Sequence, residues 1–205
     1  MDEGAVMRMR KGFTLMEMLV VIVTLGILSA VMLLSSLEAV SSADASNIIN
    51  NMQQIKMATY AWYKDNLSRL IPDGSGGYKI RTKGTDQKFS EFIRDHKSEI
   101  SQYLDNANTL ILRSTEDSSN NTGDYTLIEA TVNKRKSWYV CYNSGTKSTT
   151  ITNYGEEAPE LRIKDKIAGR AKTLQLLGKT DIKNNTFQNV YTDQKWICML
   201  ILQLP

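Results

Sequence analysis

Lys11-Gly12-Phe13-Thr14-Leu15-Met16-Glu17, continuing as Met18-Leu19-Val20-Val21-Ile22, is the stretch that decides how this 205-residue chain is built. From Met18 through Leu34 it carries no charge at all. Phe13 to Leu37 is 25 residues. As a helix these would span roughly 37 Å, against a hydrocarbon thickness of about 30 Å. That is long enough to cross a bilayer. A secretory signal peptide would have an apolar core of about 7 to 15 residues and then a small-x-small cleavage site, whereas this core is longer and no such site follows. Arg8, Arg10 and Lys11 crowd the N-terminal flank. The positive-inside rule therefore predicts residues 1–12 in the cytoplasm and the remainder outside.

Glu17 is the anomaly in this segment. A carboxylate near a helix end can stay hydrated in the interface, but acidic residues in membrane spans cost up to about 3 kcal/mol when central and usually mark a partner. A cut between Gly12 and Phe13 would create one, a new α-amino group four positions before Glu17. Helix geometry keeps Glu17 from comfortably closing on its own N-terminus, so a neighbouring copy is the expected source of the cation. Pairing of that kind in a low-dielectric bundle selects one axial register. It is also head-to-tail, and a repeated heterologous contact that does not close generates a helical filament.

These residues resemble the prepilin signal of the type IV pilin and type II secretion pseudopilin superfamily. The likeness is tight over residues 8 to about 40 and architectural beyond. It implies cleavage after Gly12 by a prepilin peptidase, N-methylation of Phe13, and a Glu17 that guides subunit docking. It further implies an inner-membrane assembly platform, other pilins as partners, and contact with membrane lipid before assembly. The expected fold is α+β: a long N-terminal helix, half transmembrane and half amphipathic, packed on an antiparallel sheet.

The predicted organisation is a leader at 1–12, a membrane or filament-core helix at 13–40, and a globular head at 41–205. Within the head we expect an amphipathic helix at 41–66, a connecting region at 67–108, and the sheet and C-terminal region at 109–205. Ile48, Met52, Ile55 and Trp62 recur at spacings of four, three and seven, with Ile49 widening the stripe. No proline interrupts Thr14 to Lys64, so one helix of roughly 76 Å is expected. Gly26, Ser35-Ser36 and Ser41-Ser42 are the weak points where it could bend. Pro72-Asp73-Gly74-Ser75-Gly76-Gly77 should end it. A second helix, capped near Asp86, would use Phe89, Phe92, Ile93, His96, Ile100, Tyr103 and Leu104 on one face. Strands are expected at Thr109–Arg113, Tyr125–Val132, Trp138–Tyr142 and Ser148–Thr152, as an antiparallel meander over the helix stripe. Leu161 to Leu177 suggests a helix, and the apolar run Trp196–Leu204 a strand that must be paired to be safe.

Net charge is +3, and +2 without residues 1–12, too near balance to indicate nucleic acid as a partner. Cys141 and Cys198 both fall on the outward side. An isolated pair in an exported domain usually forms a disulfide, with two buried free thiols as the alternative. Closing so long a loop would add about 4 kcal/mol on the chain-entropy estimate. The resemblance strengthens the bridge, because many type IV pilins have a disulfide-bounded C-terminal region.

His96 is the sole histidine. It lies on or near an apolar face with no Cys, Asp or Glu cluster at ligand spacing, so no metal, cofactor or catalytic role is expected. Asp181 and Asp193 are too isolated for the calcium site that some pseudopilins have. Lys134-Arg135-Lys136 reads as a solvated hairpin turn ahead of a DNA or surface contact. The sequons at Asn66, Asn120 and Asn184 say little alone. An enzyme is improbable, since the common acid-base and nucleophile pairs are missing.

Three functions follow. The first is a structural subunit of a type IV pilus, at the cell surface as a fimbrium serving adhesion or motility. The second is a pseudopilin in a periplasmic pseudopilus for protein secretion. The third, from another class, is a binding module on an uncleaved signal anchor.

Overall fold

The computed structural model describes residues 14–104, 112–113, 124–132, 134–145, 159–183, 186–188 and 194–204. It divides into two compact units between Val40 and Ser41, and helix α1, Leu15–Asp65, contributes to both.

In the first unit the large apolar side chains of α1 stand open, from Leu15 at 85% exposure to Val21 at 45%. Its polar side chains turn inward on their own backbone. Thr24 Oγ1 donates to Val21 O, Ser29 Oγ to Leu25 O, Ser35 Oγ to Met32 O and Ser36 Oγ to Leu33 O, at 2.8 to 3.0 Å. A hydroxyl satisfied in this way can face hydrocarbon without an orphaned donor. The helix is continuous through Gly26 and the serine pairs, the weak points named from the sequence.

In the second unit the predicted stripe of α1 is the buried one: Ile48, Ile49, Met52, Ile55 and Trp62 are all in the core. The helix ends at Asp65, one residue from the expected limit at 66 and ahead of the Pro72 turn. Asn66 closes it by sending both its N–H and its Nδ2 to Trp62 O, at 3.0 and 2.9 Å. The connecting region then holds a sheet that the sequence reading did not anticipate. Strands β1 (Leu70–Pro72), β2 (Tyr78–Arg81) and β3 (Asp86–Lys88) form an antiparallel three-stranded unit. They are only three or four residues long, too short for a period-two pattern to stand out from the connecting region. Helix α2 (Phe89–Ser101) follows. Its cap is Lys88 and not Asp86, with Glu91 Oε2 accepting the Lys88 N–H at 3.0 Å, and the backbone kinks at His96.

The main sheet has strands β4 (Leu112–Arg113), β5 (Tyr125–Val132), β6 (Arg135–Asn143), β7 (Leu176–Lys179) and β8 (Trp196–Gln203), in the order β4-β5-β6-β8-β7. It is mixed, not wholly antiparallel, because β4 runs parallel to β5. Helix α3 spans Pro159–Leu174, and Gln175, at φ 53°, turns the chain into β7, so Leu176 and Leu177 are strand and not helix. The strand expected at Ser148–Thr152 lies outside the described residues.

The C-terminal apolar run is an interior strand, paired with β6 on one side and β7 on the other. Both its faces are covered. Ile197 and Met199 join the core of the helical face, while Trp196 and Cys198 join a second cluster with Ile128, Tyr139 and Ile182. Burial on both sides is why the run reads apolar from Trp196 through Leu202 instead of alternating. At the centre of the first core, Phe89 stacks on Trp138 at 3.9 Å and Trp62 tilts against Phe92 at 4.8 Å. The architecture is α+β, with the amphipathic helix against the sheet.

Candidate functional site

Thr14 opens α1, and the residues Thr14-Leu15-Met16-Glu17 form a capping box that the sequence reading overlooked. Glu17 Oε2 accepts the Thr14 N–H at 2.8 Å and the Thr14 hydroxyl at 2.9 Å, and the Glu17 N–H approaches Thr14 Oγ1 at 3.3 Å. The carboxylate is thus not partnerless in the single chain, contrary to what its place in an apolar segment suggested. It satisfies donors that the first helical turn cannot satisfy for itself. Only one oxygen is used, and Oε1 has no partner among the described residues. Gly12 and Phe13 lie outside those residues.

Cys141 and Cys198 are joined in a disulfide. They sit directly opposite one another on β6 and β8, both fully buried. The bridge therefore fastens the C-terminal strand to the middle of the sheet, on the face turned away from the α1 stripe.

The remaining candidates separate. Lys134 is in the hairpin turn at φ 65°, but Arg135 and Lys136 are already in β6. Lys136 reaches away from the turn to Asp73, so the basic cluster is dispersed. His96 stacks on Phe92 with centroids 5.3 Å apart, and its Nδ1 is 3.5 Å from Glu99 Oε1. Among the described residues no group of three or more His, Cys, Asp or Glu side chains converges as metal ligands would. Asp181 Oδ1 accepts the Lys183 N–H at 3.0 Å, and Asp193 lies outside the described residues. Asn66 is engaged in the helix end and with Arg69, while Asn120 and Asn184 are not among the described residues.

Residues 7–33 match the family model of the prokaryotic N-terminal methylation motif. This is the type IV pilin and pseudopilin signature. The pilin-type signature ends within the apolar half of α1, and the chain finds no match among curated proteins or solved structures. The motif is that of structural subunits made as membrane-anchored precursors, which a prepilin peptidase processes and which assemble into oligomers. The helix carrying the pilin signature is the one described helix long and apolar enough to cross a membrane.

Proposed function

We propose that this protein is a structural subunit of a type IV pilus. It is inserted N-in, C-out in the inner membrane, cut after Gly12, methylated at Phe13, and polymerised through α1 into a surface filament. The observation that carries this is the pilin signature over residues 7–33, on a helix whose large apolar side chains from Leu15 to Leu33 are exposed. Lipid would cover them before assembly, and neighbouring α1 helices afterwards. Glu17 holds two roles at once. One oxygen caps its own helix, and the other is open to the amine freed on the adjacent subunit, which sets the axial register. The bridged C-terminal region favours the pilus over a secretion pseudopilus.

Variants at Glu17 test the chemistry. Glu17→Gln keeps an oxygen able to cap the helix but removes the charge, and Glu17→Leu removes both. Both should be processed, and both should lose filaments. Normal filaments from Glu17→Gln would reduce Glu17 to a cap and defeat the register role. Mass spectrometry of the mature protein should find methylated Phe13 at the N-terminus, whereas intact residues 1–12 would mean an uncleaved anchor. Surface labelling separates the two filaments, since a periplasmic pseudopilus stays unlabelled on intact cells.

A further inference from the structure

Between β2, the turn after it and α2 lies a cleft of about 570 Å³ lined by Arg69, Arg81, Thr82, Lys83, His96 and Glu99. Three permanent cations face one carboxylate. That carboxylate is already taken: Glu99 Oε2 receives Arg69 Nη1 at 2.7 Å and Trp62 Nε1 at 3.4 Å. Arg81 and Lys83 have no ion pair among the described residues. The chain as a whole is close to charge balance, so this excess is local.

Arg69 is held as a fixed part of the wall. Its Nε donates to Arg81 O at 3.0 Å and its Nη1 to Asn66 Oδ1 at 3.0 Å, while its guanidinium carbon lies 6.0 Å from the Trp62 ring and 5.8 Å from the Phe92 ring. These contacts leave both N–H groups of Nη2 without a protein partner among the described residues. A guanidinium oriented in this way loses little freedom when it binds a planar or tetrahedral anion. The two unpaired cations, Arg81 and Lys83, stand on the same concave surface and add their charge to that of Arg69. The His96 ring, stacked on Phe92, adds a flat surface, and Thr82 Oγ1 adds an acceptor. The cleft is the size of a small-ligand site, with charge at one end and stacking and hydroxyl chemistry beside it.

We propose that this cleft binds an anionic sugar, with Arg69, Arg81 and Lys83 neutralising its carboxylate or phosphate and the His96 ring against the sugar. The site is independent of filament assembly, and its loss would leave the α1 chemistry untouched.

Calorimetric titration of the detergent-solubilised full chain with glucuronate, glucose 6-phosphate, inorganic phosphate and glucose tests this. Saturable binding of glucuronate, of glucose 6-phosphate or of both is expected, while glucose gives no signal. Which acid binds assigns the anion. Arg81 and Lys83 are exposed, so Arg81→Ala/Lys83→Ala should keep the wild-type unfolding midpoint and weaken binding at least tenfold. The proposal is overturned by no saturable binding of either acid up to about 10 mM, or by binding that the double variant leaves unchanged. It is also overturned if inorganic phosphate binds as tightly as glucose 6-phosphate, because the sugar would then contribute nothing.

Discussion

Lys136 Nζ lies 2.6 Å from Asp73 Oδ2, and this contact, 63 positions apart in sequence, fastens the glycine-rich turn between β1 and β2 to strand β6. Ser75 Oγ and Glu129 Oε1 stand 2.8 and 3.6 Å from the same ammonium, while Asp73 Oδ1 accepts the N–H groups of Ser75 and Gly77. A single lysine thus joins the small sheet to the large one.

This clamp is sensitive to acid. The hydrogen bond from Lys136, with those from the Ser75 and Gly77 amides, holds the Asp73 carboxyl well below the usual carboxylate range. A carboxyl depressed on folding contributes stability above its unfolded pKa of about 3.9 and loses it as pH falls toward its folded value. At neutral pH, Asp73→Asn should cost about 1–2 kcal/mol, allowing for solvent screening. In urea titrations the gap between variant and wild type should narrow below about pH 4. A gap that is constant from pH 7 to 3 would contradict the clamp.

Removing the disulfide as Cys141→Ala/Cys198→Ala should destabilise the head by about 2–4 kcal/mol. Both sulfurs are buried, so reductant without denaturant should leave the bridge closed. Unfolding midpoints of the variant, and thiol titration of the folded protein, check the two statements separately.

Gly178 in β7 lies beneath the Gln194 side chain, and a Cβ built there would fall within the Gln194 carboxamide. Gln194 is itself 1% exposed and cannot swing into solvent. Gly178→Ala should therefore cost about 1–3 kcal/mol by overpacking. Gly84→Ala, at a site with open space, should stay within about 0.5 kcal/mol. Similar losses at both positions, read from denaturant midpoints, would rule out the contact as the cause.

Lys179 is 1% exposed, with Nζ 3.3 Å from Ile182 O and 4.5 Å from the centre of the Phe187 ring. Burial pushes its pKa down to about 8, with the Asp181 charge opposing. A base whose pKa falls on folding imposes its full cost below the folded value, and the cost fades as pH rises toward the unfolded one. Lys179→Met should accordingly stabilise the protein at pH 7, by about 3 kcal/mol at most, with the gain shrinking between pH 8 and 10.5. A destabilised variant at pH 7 would show that the carbonyl and ring contacts outweigh the burial.

Legibility of the fold followed the length and regularity of each element. Tyr125–Val132 was readable to the residue, because eight residues rich in β-branched and aromatic types stand between turn signals. The Ile48 to Trp62 stripe was readable because helical spacing survives whatever packs on it. Strands β1 to β3 were not, since Asp86-Gln87-Lys88 is a strand only through its pairing with Lys79-Ile80-Arg81. The capping box at Thr14 is written in the sequence as Thr14-Leu15-Met16-Glu17, but at the mouth of an apolar run the same carboxylate also has the pattern of an intramembrane charge. Lys136 looked like part of a basic turn, and only the fold brings Asp73 to it.

The N-terminal chemistry is local. Arg8 to Leu34 carries its basic flank, capping residues and uninterrupted apolar length in consecutive positions, so their order alone fixes a membrane-length helix with one acid at its mouth. The partners of Cys141, Lys136 and Arg69 are set instead by how the strands order themselves, with β8 placed between β6 and β7 and the small sheet laid beside α2. Contacts across such distances form only when burial of both sheet faces fixes one register. That is a property of the packed whole, and no window of sequence contains it.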